Sequence, residues 1–177
     1  MEDEKKIVDD NIDVLKQGRE LIQNISTNTY RNAFPGMKNG TIGAHFRHCL
    51  EVYQCFINGL DEACVDYDNR PRSEDLENDP YMAIATIDRI IRDLELMCSS
   101  TGGSSLKIIC WNNDNTREMN FDTSFGRELM YLFSHSIHHY ALIKMILLHH
   151  GIPVDDRFGV APSTLVHWEN TKPAEFK

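Results

Sequence analysis

The 177-residue chain has no stretch near the ~20 consecutive apolar residues that a membrane-spanning helix requires, so no such helix is expected. Positive charge is scarce: 18 lysines and arginines face 27 acids, for a formal net charge of −9. Nucleic acid and anionic membranes both reward clustered cations. Some basic residues approach one another, as Arg70 and Arg72 do, but there is no basic block, and neither partner is expected. The five cysteines (Cys49, Cys55, Cys64, Cys98, Cys110) are odd in number and never spaced CxxC. That argues against a disulfide framework or a zinc knuckle and for a reduced, cytoplasmic protein. The opening MEDEKKIVDDN is charged and lacks the apolar centre of a secretory signal. Repeats and low-complexity tracts are also missing. With 41% hydrophobic and 25% charged residues the composition is globular, and one domain over residues 1–177 is expected.

What the chain does have is helical periodicity. Val8, Ile12, Leu15, Ile22 and Ile25 lie near the three-and-four spacing of a buried stripe and predict a first helix over about Glu4 to Asn28. After FPGMKNG, Thr41 or Asn39 is placed to cap a second helix ending near Leu60. A third is expected from Asp79-Pro80, where proline suits the first turn, to about Cys98. The fourth starts between Asp122 and Ser124 and runs to His150, where Gly151 and Pro153 stop it. Between the second and third helices lies EACVDYDNRPRSEDLEND. Extended, these residues reach up to ~60 Å, twice the ~30 Å of a 20-residue helix. They can therefore run back along the molecule and leave the two helices parallel. SLKIICW and TREMNF around NNDN read as a short hairpin, and the tail VDDRFGVAPSTLVHWEN reads as irregular chain packed on the helices. The expected fold class is all-α: a four-helix bundle with a long crossover between helices two and three and a short β-hairpin before helix four. Leu129, Phe133, Tyr140 and Leu147 add a second apolar stripe to the fourth helix. A helix apolar on most sides must be covered, by the tail or by a second copy, so a homodimer is also expected.

Within that fourth helix, HSIHHYAL places three histidines in five positions. Residues four apart on an α-helix differ by about 40° and share a face. His135 and His139 therefore stack one turn apart, the spacing by which two imidazoles grip one ion. His138 makes an HxxH alternative with His135. His139 is preferred because it shares the stripe Glu128, Leu132, His135, Leu142, Ile146. Histidines that merely pack or hydrogen-bond are the competing explanation. A catalytic site commonly uses three protein ligands and an open position, and TIGAHFRHCLEVY in the second helix offers two candidates. His48 falls at the border of a polar wedge formed by Arg47, Glu51, Gln54 and Asn58, whereas His45 lies nearer the apolar side.

These two stretches, TIGAHFRHCLEVY and ELMYLFSHSIHHYALI, resemble the DinB/YfiT-like family of small metal-binding helical bundles, and the likeness in layout extends over nearly the whole chain. The resemblance implies a divalent ion held by one histidine of the second helix and an HxxxH pair of the last. Residue by residue these are His48, His135 and His139, with His45 one turn earlier as the alternative. Many members follow the paired histidines with Gly-Gln, where this chain has Tyr140-Ala141.

Three imidazoles bring no charge, so a bound ion keeps its Lewis acidity and can lower the pKa of a thiol or a water. Two enzyme classes follow. A low-molecular-weight thiol cofactor would give a transferase or isomerase of a small-molecule substrate, the chemistry of characterised relatives. An activated water would give a hydrolase of an amide or ester, with Glu128 or Glu51 as proton acceptor. Arg70 and Arg72 are candidates to receive a substrate carboxylate. A non-catalytic metal-binding or interaction bundle is the alternative outside enzymes, favoured if a fourth ligand such as Glu51 closes the site. Imidazole suits zinc, nickel, iron and copper alike; zinc and nickel are placed first.

Overall fold

The structure is a computed structural model and describes residues 2–37, 40–97 and 105–171. It is mostly helical, but a small sheet makes it more than all-α. In chain order the elements are α1 (Glu2–Asn24), α2 (Thr27–Tyr30), α3 (Ile42–Gly59), β1 (Cys64–Asp66), α4 (Glu74–Asn78), α5 (Pro80–Met97), β2 (Ser105–Trp111), β3 (Glu118–Ser124), α6 (Phe125–His149) and α7 (Pro162–Thr171).

Local chemistry sets the helix ends. Thr41 caps α3 by accepting from the Ala44 amide at 2.9 Å, and Ser124 caps α6 by accepting from that of Arg127. Asn39, the other candidate cap, and Cys98, the expected end of the third helix, lie outside the described residues. The first helix is shorter than expected: α1 stops at Asn24, and Ser26 caps a separate single turn, α2.

The four long helices pack as a ring, α1 against α5 and α6, and α3 against the same two. Their directions follow from cross-contacts. Arg19 of α1 meets Asp88 of α5, while Ile22 and Ile25 share a cavity wall with Pro80 and Ile84, so α1 and α5 run antiparallel. Asn11 donates to the Leu129 carbonyl and Tyr140 to that of Val14, so α1 and α6 run parallel. The α3 start lies by the chain entering α5, because a Cβ on Gly43 would collide with the Glu77 carbonyl. Only glycine lets the crossover approach the helix so closely. The far end of α3, at Gly59, rests on Val65 of β1. Helices α3 and α5 are therefore parallel, as the long crossover predicts.

That crossover is not bare chain. Its first part forms β1, which pairs in parallel with β2 (Cys64 to Lys107, Asp66 to Ile109). β2 in turn pairs antiparallel with β3, from Ser105 opposite Ser124 to Trp111 opposite Glu118. The expected hairpin is present and a third strand joins it. One apolar cluster, including Val8, Leu15, Phe46, Tyr53, Ile87, Leu94, Leu129 and Ile143, fills the space between the helices. Among the described residues no helix is long and apolar enough to cross a membrane.

Candidate metal centre

Two helices build the site. α3 and α6 pack antiparallel, so His45 meets His139 while His48, one turn on, meets His135. Each helix brings imidazoles on consecutive turns, and the crossing interleaves them. The ring centroids of His48, His135 and His139 stand 4.6 to 4.9 Å apart. Each of the three offers a ligand atom, and these atoms lie within 4.8 Å of one another. The His48 and His135 Nε2 atoms are 2.9 Å apart. Two nitrogens each ~2.0–2.1 Å from a zinc ion would stand ~2.9 Å apart at a right angle and ~3.4 Å apart at the tetrahedral angle. The spacing fits ligands of one ion.

Protonation suits the same use, since a metal takes neutral imidazole. Burial pushes His48 down to about 4, helped by the Arg70 charge and by His135. Burial, then His135 and His48, brings His139 to about 2. His135 and His45 are lowered by burial as well. Lone pairs are thus available throughout the neutral range. His138 is exposed, its ring 5.5 Å from that of His139, and stands outside the group.

Of the two carboxylates expected near the histidines, Glu128 is engaged elsewhere through both oxygens and Glu51 through one. Glu128 is buried, and its oxygens accept from Tyr67 Oη at 2.7 Å and Thr123 Oγ1 at 2.6 Å. Two turns of α6 separate it from His135. Glu51 belongs to the polar wedge of the sequence, yet it is fully buried because the crossover covers that side of α3. Its Oε1 accepts from the Ser73 amide at 2.7 Å, just ahead of α4. A buried carboxylate needs donors; the crossover supplies one to Oε1, while Oε2 is buried without a hydrogen-bond partner among the described residues. Neither acid joins the histidine ligand group.

Arg70 stands where its charge acts on His48, His135 and Tyr131. It donates to the Tyr67 carbonyl at 2.8 Å, and among the described residues no carboxylate pairs with it. Arg72 is exposed and turned to the Arg70 carbonyl at 3.1 Å. Two residues of the site went unnoticed in the sequence. Tyr131 lies one turn before His135, with rings 5.3 Å apart, and Tyr67 of the crossover lies 5.2 Å from Tyr131. The first was detectable as the i−4 neighbour of a candidate ligand on one helix face; the second carried no signal.

No family model matches the chain, and no solved structure matches it. The chain is similar to FK506-binding protein 5 of Rhizopus delemar, 38% identical over 104 residues, which cover 58% of this chain and 27% of that protein. It thus spans about a quarter of that relative's length.

Proposed function

We propose that the chain is a four-helix bundle of the DinB/YfiT-like kind whose His48, His135 and His139 hold one divalent ion, zinc or nickel, for thiol-dependent transfer or isomerisation of a small molecule. The observation that carries this reading is the convergence of three ligand atoms within 4.8 Å from two helices. When bound, such an ion supplies Lewis acidity that lowers the pKa of a thiol or a water. The protein's own part is to bind and orient. Arg70, with no carboxylate partner among the described residues, offers a guanidinium beside the histidines, suited to a substrate carboxylate. Three neutral imidazoles and one arginine leave the positive charge of an ion unbalanced, which favours anionic ligands such as a thiolate or a carboxylate. The hydrolase alternative needs a proton acceptor at the ion; Glu128 is held by Tyr67 and Thr123, and neither it nor Glu51 joins the histidine group, which weighs against it. A closed, purely structural metal needs a fourth tight ligand, and neither acid takes that place. The FK506-binding name is that of a protein of which the match covers 27%, and it is said of that protein alone.

Metal analysis of protein purified without a nickel column tests the reading. About one equivalent of divalent ion per chain is expected, released by a chelator. His135→Ala should abolish binding, and His138→Ala, altering an exposed ring, should leave it nearly intact. Equal losses from both substitutions would show that the wrong pair was chosen.

A further inference from the structure

A fourth histidine is built into the same crossing and takes no part in the ligand group. His45 is 8% exposed, and its Nδ1 stands 2.9 Å from Nδ1 of His139. Its other nitrogen, Nε2, is buried without a partner among the described residues. Two imidazole nitrogens at that distance share one proton, so one ring donates and the other accepts. The direction has consequences. If His45 donates, the His139 Nδ1 lone pair is consumed and its own proton sits on Nε2, which leaves no nitrogen for an ion. If His139 donates, its proton is on Nδ1 and the Nε2 lone pair is free.

We infer that His45 is a positioning residue: its Nδ1 accepts the Nδ1 proton of His139, fixing that ring's orientation and the tautomer that exposes Nε2 to an ion. This rests on the metal reading above and deepens it. Ligating histidines commonly donate their second nitrogen to a carboxylate, a backbone carbonyl or a water; here a buried imidazole fills that role. The arrangement obliges His45 to carry its own proton on Nε2, the atom left without an acceptor. Nothing in packing alone calls for it. An apolar residue would fill the position between α3 and α6 with no orphaned atom, so the histidine is explained by what it does to His139.

Two measurements decide the matter. In metal-free wild-type protein, long-range ¹H–¹⁵N correlation of the histidine rings should place the His139 proton on Nδ1 and the His45 proton on Nε2. The reverse assignment would overturn the inference whether or not the protein binds metal. Zinc affinity, measured by competition with a chromophoric chelator, is the second readout. His45→Leu should weaken it ~10–100-fold, as loss of a partner behind a ligand does. His45→Asn, whose side-chain oxygen can stand where Nδ1 stood, should restore most of the affinity. Equal weakening by both substitutions, or by neither, would overturn the positioning role. If the wild type takes up no zinc, the metal reading fails, and the ring spectrum alone decides the proton's place.

Discussion

At the scale of single residues, the site is a set of imidazoles that burial keeps neutral, and neutrality has a thermodynamic consequence. An unfolded histidine titrates near ~6.5, whereas His48 in the folded protein is held down to about 4. Below pH ~6.5 the unfolded chain therefore binds more protons than the folded one. The stability due to this depression is fully present above pH ~6.5 and is lost as the pH falls toward 4. Thermal melts of the metal-free protein should show a falling midpoint between pH 6.5 and 5, above the range where ordinary carboxylates titrate. His48→Gln should flatten that slope, and a midpoint level across the window in the wild type would contradict the burial argument. The same residues show what a sequence can reveal of a site. His135 and His139 were legible because helical spacing converts a pattern into a shared face. The choice of His48 over His45 rests on the resemblance alone, and in the structure it is His48 that groups with His135 and His139. Spacing does not reveal that Tyr67 Oη and the Ser73 amide reach Glu128 and Oε1 of Glu51, because those donors come from a segment without periodicity.

At the scale of elements, that segment is the part of the fold the sequence concealed. The long helices announced themselves by apolar spacing and by caps at Thr41 and Ser124. β1 has three residues, too few for an alternating pattern, and its partner β2 lies some 40 positions along the chain. α4 is a single capped turn. Both are held by tertiary contacts rather than by propensity. Buried carboxylates fasten the crossover: Glu51 takes the amide of Ser73, and Glu128 ties Tyr67 to the α6 start. Tyr67→Phe removes one donor from Glu128 while leaving Thr123 in place. It should cost about 1–3 kcal/mol, the range for a buried acceptor left short of a partner. Urea unfolding at neutral pH would measure it. An unchanged midpoint would mean that water replaces the hydroxyl and that the crossover is fastened elsewhere.

At the scale of the whole molecule, the question is what covers α6. Its second stripe, expected to meet either the tail or another copy, is largely covered within the chain, with Phe133 half-buried. Leu129, Tyr140 and Leu147 are buried, and Phe158 of the tail lies flat on Tyr140 with ring centroids 4.8 Å apart and an 8° tilt. Gly159 follows at φ +68, and a Cβ there would strike the backbone at Tyr140 and Ala141. Three of the four stripe residues are thus covered without a second copy. The tail is also less irregular than its sequence suggests, because α7 occupies part of it, yet no α7 residue is buried. Val166 and Trp168 remain about half exposed, which is why their spacing carried no readable helix signal. The tail thus divides into an anchor and an appendage, and the two should separate experimentally. Phe158→Ala empties a site that is 3% exposed and should cost about 3–5 kcal/mol, the range for a buried aromatic. Deleting the chain from Ser163 onward removes, among the described residues, only part of α7, none of which is buried, and should change stability by less than about 0.5 kcal/mol, as substitutions away from buried contacts do. Calorimetry on both variants checks the division. A deletion as damaging as Phe158→Ala would show that α7 is anchored to the helices by more than the Arg157–Glu169 pair at its edge.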